Sequence, residues 1–190
     1  MSDVGGSQPA RGRQPGPGHD ASLLARFCAA IDRLNTWVAR FWGASIVVVT
    51  IAILYEVIAR GLFGQATVWA NETTVYLSAV TYLLGGGYAL LKRGHVRIDL
   101  IYGMFTPPSK RVADVISFVC FAVYVGALVW VGTEMAWSSF LQSEGTGTPW
   151  NPPIWPVKMA IPIAGLLLLL QGIANLVREL GILPEAEPAP

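Results

Sequence analysis

Glu56 and Arg60 stand four positions apart at the end of an apolar run. That spacing puts both on one helix face, where they can form a salt bridge or bind an ion or a partner. Glu72 follows Trp69 in the segment VWANETTVY, and a carboxylate at the start of a helix is also stabilised by the N-terminal end of the helix dipole. Arg93, His95, Arg97 and Asp99 come together in LKRGHVRIDL. A histidine in such company can relay protons or hold a hydrogen-bonded loop.

Other signatures of catalysis are missing. The sequence holds no P-loop, no GxSxG, no HExxH and no EF-hand loop. A membrane haem needs axial histidines inside apolar helices, and neither His19 nor His95 lies in an apolar run. Cys28 and Cys120 are too far apart for a CxxC or metal-ligand spacing and read as free thiols. Neither enzymatic activity nor a metal or bound cofactor is expected.

The elements that position these residues follow from the solvent the chain needs. Of its 190 residues, 53% are hydrophobic and 13% charged, and the mean hydropathy is +0.50. A domain of this length buries only about two-thirds of its surface, so in water this much apolar side chain would leave large exposed patches. Lipid is the solvent that fits. The net charge of +1 gives no general attraction to nucleic acid.

An ionised side chain near mid-bilayer costs about 3 kcal/mol, so the gaps between charges locate the spans. Fifteen uncharged residues separate Arg40 from Glu56, and 19 separate Glu72 from Lys92, Asp114 from Glu134, and Lys158 from Arg178. A helix of about 20 apolar residues crosses the hydrocarbon layer, and none of these runs alternates as a barrel strand must. The sequence therefore predicts an all-α integral membrane protein with spans near 41–59, 73–91, 113–133 and 157–177, within a membrane domain of residues 21–180. Residues 1–20, rich in Gly and Pro, are expected to form a disordered cytoplasmic tail, and 181–190 a flexible one.

Eleven Lys and Arg fall in the two terminal segments and the loop between spans two and three, whereas only Arg60 and Lys158 fall in the other loops. The positive-inside rule then places both termini and the central loop in the cytoplasm. Trp69, Trp137, Trp150 and Trp155 fall at the outer interface, where an indole prefers to sit. Ahead of span one, Phe27, Ile31, Leu34, Val38 and Phe41 recur in steps of four and three, with Arg26, Arg33 and Arg40 every seven. Such an amphipathic helix lies in the headgroup layer or packs along a partner. Ile98, Ile101, Tyr102 and Phe105, ahead of Pro107 and Pro108, suggest a second interfacial helix on the same side. The loop between spans three and four, dense in Gly, Pro and Trp, is expected to be an ordered turn structure, and Pro162 to kink span four or mark its late start.

These features together resemble a known family. The four spans, Glu56 and Arg60 closing the first, WANE at Trp69 to Glu72, RGHVRIDL at Arg93 to Leu100, and PIWPVKMAIPIAGLLLLLQGIANLVREL at Pro153 to Leu180 are similar to the small permease subunit of tripartite ATP-independent periplasmic (TRAP) transporters, the DctQ-like family. The resemblance covers residues 22–180. It implies a bacterial inner-membrane subunit that scaffolds a large permease subunit during sodium-coupled uptake of an organic acid, such as a dicarboxylate or sialic acid. A periplasmic binding protein would deliver that acid by transient contact at the outer face. Membrane lipids are the other partner, and no substrate-binding residue is expected in this chain. Glu56, Arg60, Trp69, Glu72, Arg93, His95, Arg97, Asp99 and Trp155 become structural or interface candidates. The competing reading is a stand-alone proton-coupled exporter using Glu56 as its carboxylate.

Overall fold

A computed structural model describes residues 19–92 and 107–180. They form four helices: α1 (His19–Phe63), α2 (Val68–Leu91), α3 (Pro107–Leu141) and α4 (Trp155–Glu179). Each is long and apolar enough to cross a membrane, and each contains one of the four charge-poor runs. The described residues form no sheet, only an isolated bridge between Gly145 and Pro153. α1 takes in His19 and Asp20 of the expected N-terminal tail; the expectations for the rest of both tails and for a helix over 98–105 lie outside the described residues.

The N-terminal amphipathic segment is not a separate helix. α1 continues without a break for 45 residues, about 68 Å at 1.5 Å per residue and about twice the hydrocarbon thickness. Between His19 and Trp42 there is neither Gly nor Pro to interrupt it. The structure also divides what the sequence reads as one apolar stripe. Ile31 is buried and Val38 packs inward, while Phe27, Leu34 and Phe41 stay exposed.

Successive helices alternate in direction. One end of the layer, the terminal end, holds the start of α1 and the ends of α2 and α4. The other, the loop end, holds segments 64–67 and 142–154. Gly64, at φ 65°, makes the left-handed turn between α1 and α2 that other residues adopt at a cost. α3 opens on Pro107 and Pro108, where the missing amide hydrogens are unneeded. α4 passes through Pro162 rather than starting after it.

The helices are ordered α1–α2–α4–α3, and the first part of α1 also reaches α4. In lipid, helices gain little from hydrophobic burial and associate through close packing of small residues and interhelical hydrogen bonds. α4 supplies the small residues facing α3: a side chain at Gly165 would run into Val129, and one at Gly172 into Phe121. On its other side Ala164 and Leu167 pack with Leu84 of α2 and with Val38 and Trp42 of α1. Beyond Phe41, α1 touches its neighbours through a single stripe that includes Val49, Ala52 and Ala59, and exposes Ile46, Val47, Ile51 and Leu54 to the surroundings.

Candidate functional site: a buried polar cluster and a braced loop end

The least exposed large side chains of this apolar layer are polar. Asn35 of α1 and Gln171 of α4 are both 0% exposed. Asn35 Nδ2 donates to Gln171 Oε1 at 2.8 Å and to the carbonyl of Ile31 at 3.3 Å. Gln171 Nε2 donates to Asp32 Oδ1 at 3.0 Å and to Asn175 Oδ1 at 3.3 Å. Arg178 reaches across from α4 to both Asp32 oxygens, with its shorter contact at 2.6 Å. Asn175 Nδ2 donates to the Leu90 carbonyl at 3.2 Å, which brings α2 into the cluster. An unpaired amide costs several kcal/mol in hydrocarbon, so these groups hold one relative placement of the three helices.

Gly87 makes room for this arrangement. A Cβ there would lie 2.1 Å from Asn35 Oδ1, closer than any real contact allows. The cluster thus joins Asp32 and Asn35 of α1, Gly87 and Leu90 of α2, and Gln171, Asn175 and Arg178 of α4. Sequence reasoning passed over all of these as a site. The available signal was Gln171, a lone amide following five leucines.

The loop end is braced differently. Arg60 donates to Glu56 Oε1 from Nη2 at 2.6 Å and from Nε at 3.2 Å. The other Glu56 oxygen accepts from the Thr67 hydroxyl and from the Thr67 amide at 2.8 Å, so this carboxylate closes the α1–α2 turn. Trp69 packs against Tyr55 with ring centroids 5.3 Å apart. Glu72 lies past the first turn of α2, beyond the reach of the dipole effect. It is only 7% exposed and accepts from Thr146 Oγ1 at 3.3 Å.

Segment 142–154 is an ordered hairpin. Ile154 N donates to the Glu144 carbonyl at 3.0 Å, Thr146 N to the Pro152 carbonyl at 3.3 Å, and Gly147 N to Asn151 Oδ1 at 2.9 Å. Lys158 pairs with Glu144, and its hydrogen bond holds the Glu144 carboxyl below its ordinary value. Trp155 meets Phe140 edge-on at 5.4 Å, and Phe140 stacks near Trp137 at 5.9 Å.

The sequence-named residues are thus divided. Glu56 and Arg60 meet each other, Trp69 and Glu72 anchor the start of α2, and Trp155 anchors α4. Arg93, His95, Arg97 and Asp99 lie outside the described residues. Among the described residues no three His, Cys, Asp or Glu side chains gather to hold a metal ion. The arrangement can brace helices and loops.

A match to the family model described as "Tripartite ATP-independent periplasmic transporters, DctQ component" covers residues 32–181. The chain belongs to this family. The matched region begins at Asp32 and contains the described polar cluster and both loop-end braces of this DctQ-family protein. Three curated relatives carry the name C4-dicarboxylate TRAP transporter small permease protein DctQ. The protein from Vibrio cholerae is 21% identical over 156 residues, 82% of this chain and 62% of the relative. Those from Rhodobacter capsulatus and Pseudomonas aeruginosa are 24% and 25% identical, covering 56% and 62% of this chain and 47% and 57% of their own lengths. The chain thus spans about half to three-fifths of the length of these relatives. It is a multi-pass membrane protein of this family, and its relatives are named as components of a transporter.

Proposed function

We propose that this DctQ-family chain is a scaffold, holding the large permease subunit in place during sodium-coupled uptake of an organic acid across the bacterial inner membrane. A periplasmic binding protein delivers the acid and docks transiently at the loop end, which faces the periplasm. Both termini and the central loop are cytoplasmic, as the distribution of Lys and Arg favours. The C4-dicarboxylates in the relatives' names make a dicarboxylate the first substrate to test.

One observation carries the scaffold reading within the family. Polar side chains of the described interior brace one element against another, Asn35 against Gln171, Asp32 against Arg178 and Glu56 against Thr67, and that is what a rigid support needs. Solubilising native membranes in mild detergent should recover the chain with a large hydrophobic permease. Vesicles holding this chain alone should carry no proton-coupled flux. Flux from such vesicles, lost on Glu56→Gln, would replace the scaffold reading with a stand-alone exporter.

A further inference from the structure

The first part of α1 carries a second seam that no helix of the described chain covers. Leu23, Phe27, Ala30, Leu34, Trp37 and Phe41 follow one another in steps of four, three, four, three and four. All six are exposed, Trp37 to 65%, and Trp37 stacks on Phe41 with centroids 5.6 Å apart. A four-three alternation is the pattern of the apolar seam between paired helices, with Phe27, Leu34 and Phe41 at one core position and Leu23, Ala30 and Trp37 at the other. Ile31 and Asn35, which lock α1 onto α4 and α2, lie on a different face.

The position just before each aromatic or leucine of the first core set is an arginine: Arg26, Arg33 and Arg40. All three are exposed, and among the described residues none of them has an ion pair or hydrogen bond. Arg60, Lys158 and Arg178 each pair with an acid of the chain. In paired helices this flanking position selects the partner by charge.

We propose that this face of α1 docks an acidic helix of the large permease subunit, with Asp or Glu at heptad spacing opposite Arg26, Arg33 and Arg40. The inference rests on the scaffold reading and adds the surface and the chemistry of contact. A second copy of this chain fits poorly. Antiparallel pairing sets arginine against arginine, and parallel pairing sets the arginines against Leu24, Ile31 and Val38. Lipid phosphates fit only in part. The three arginines span fourteen residues, about 21 Å along the helix, whereas the headgroup region on one side is about 5–8 Å deep. α1 runs antiparallel beside α2 from Asn35 at Gly87 through Ser45 at Thr81 to Glu56 at Thr67, and the stripe lies on the same unbroken helix, so it follows the spanning direction.

The test uses the full chain co-expressed with its large permease subunit. A photo-crosslinking amino acid replaces Ala30 or, as a control, the exposed Tyr124 of α3. Crosslinks from position 30 should land on a helix of the large subunit that carries acids every seven residues. Because the arginines support nothing within the described chain, R26E/R33E/R40E should keep its helicity and monodispersity. The same variant should lower the recovery of complex roughly tenfold or more, and Lys in place of the crosslinked acids should restore it. Crosslinks that reach lipid alone or a helix without acids, or a complex indifferent to the triple reversal, would overturn the seam. Binding that follows the anionic-lipid content of nanodiscs would also overturn it. If the unaltered chain fails to co-purify with the large subunit at all, the scaffold reading falls instead.

Discussion

Asn35 on α1 and Gln171 on α4 are 136 positions apart in sequence, yet their amides meet at 2.8 Å with neither side chain exposed. In a layer whose faces are built for lipid, this contact separates one helix arrangement from others of similar apolar area. Removing either amide strands the other.

Gln171→Leu should therefore destabilise the protein by about 1–2 kcal/mol, since it leaves Asn35 and Asp32 short of a buried partner. Adding Asn35→Leu should cost less than the sum of the two single changes. Thermal unfolding in detergent, run as a double-mutant cycle, measures the coupling. Strict additivity would count against the pairing.

Gly87→Ala should be more damaging than Gly86→Ala. The new methyl at position 87 would lie 2.1 Å from Asn35 Oδ1, on an amide whose Nδ2 is tied to Gln171 and Ile31, whereas at position 86 the nearest atom is a Leu168 methyl at 3.6 Å. Overpacking of this kind costs about 1–3 kcal/mol. Asn35→Ala should relieve the defect, read as recovery of the melting temperature in the Gly87→Ala background.

The clip between Lys158 and Glu144 should loosen in acid. The folded-state pKa of Glu144 is lowered, chiefly by the hydrogen bond from Lys158. Its stabilisation is therefore present above the ordinary carboxylate pKa of about 4.3 and is lost as pH falls through the lower folded value. Hydrogen exchange across residues 142–154 in nanodiscs should rise only in that acid window. Lys158→Met should raise exchange at neutral pH and flatten the acid dependence.

Alanine at Arg93, His95, Arg97 and Asp99 should reduce assembly with the large subunit. The affinity of the binding protein for its organic acid should not change if these residues order the loop, the role proposed for them, rather than handle substrate. Complex yield and calorimetric Kd separate the two effects. A shifted Kd with full assembly would reassign these residues to substrate handling.

The four spans were legible from the sequence because the bilayer penalises each charge where it stands. The gaps from Arg40 to Glu56 and from Glu72 to Lys92 needed no knowledge of neighbouring helices. The four-residue spacing of Glu56 and Arg60 is local as well, and the two do meet at 2.6 Å. The face that each helix turns inward was decided only by tertiary structure. Spacing put Ile31 and Phe27 on one stripe of α1, yet the structure buries Ile31 against α4 and leaves Phe27 outside. The polar cluster was hidden for the same reason. A lone Gln171 advertises a need for partners, but its neighbours Asn35 and Asp32 lie on another helix and became neighbours only when Gly87 let the backbones close. Burial cost acts residue by residue and can be read along the chain, whereas hydrogen-bond pairing depends on distances that exist only after the helices pack.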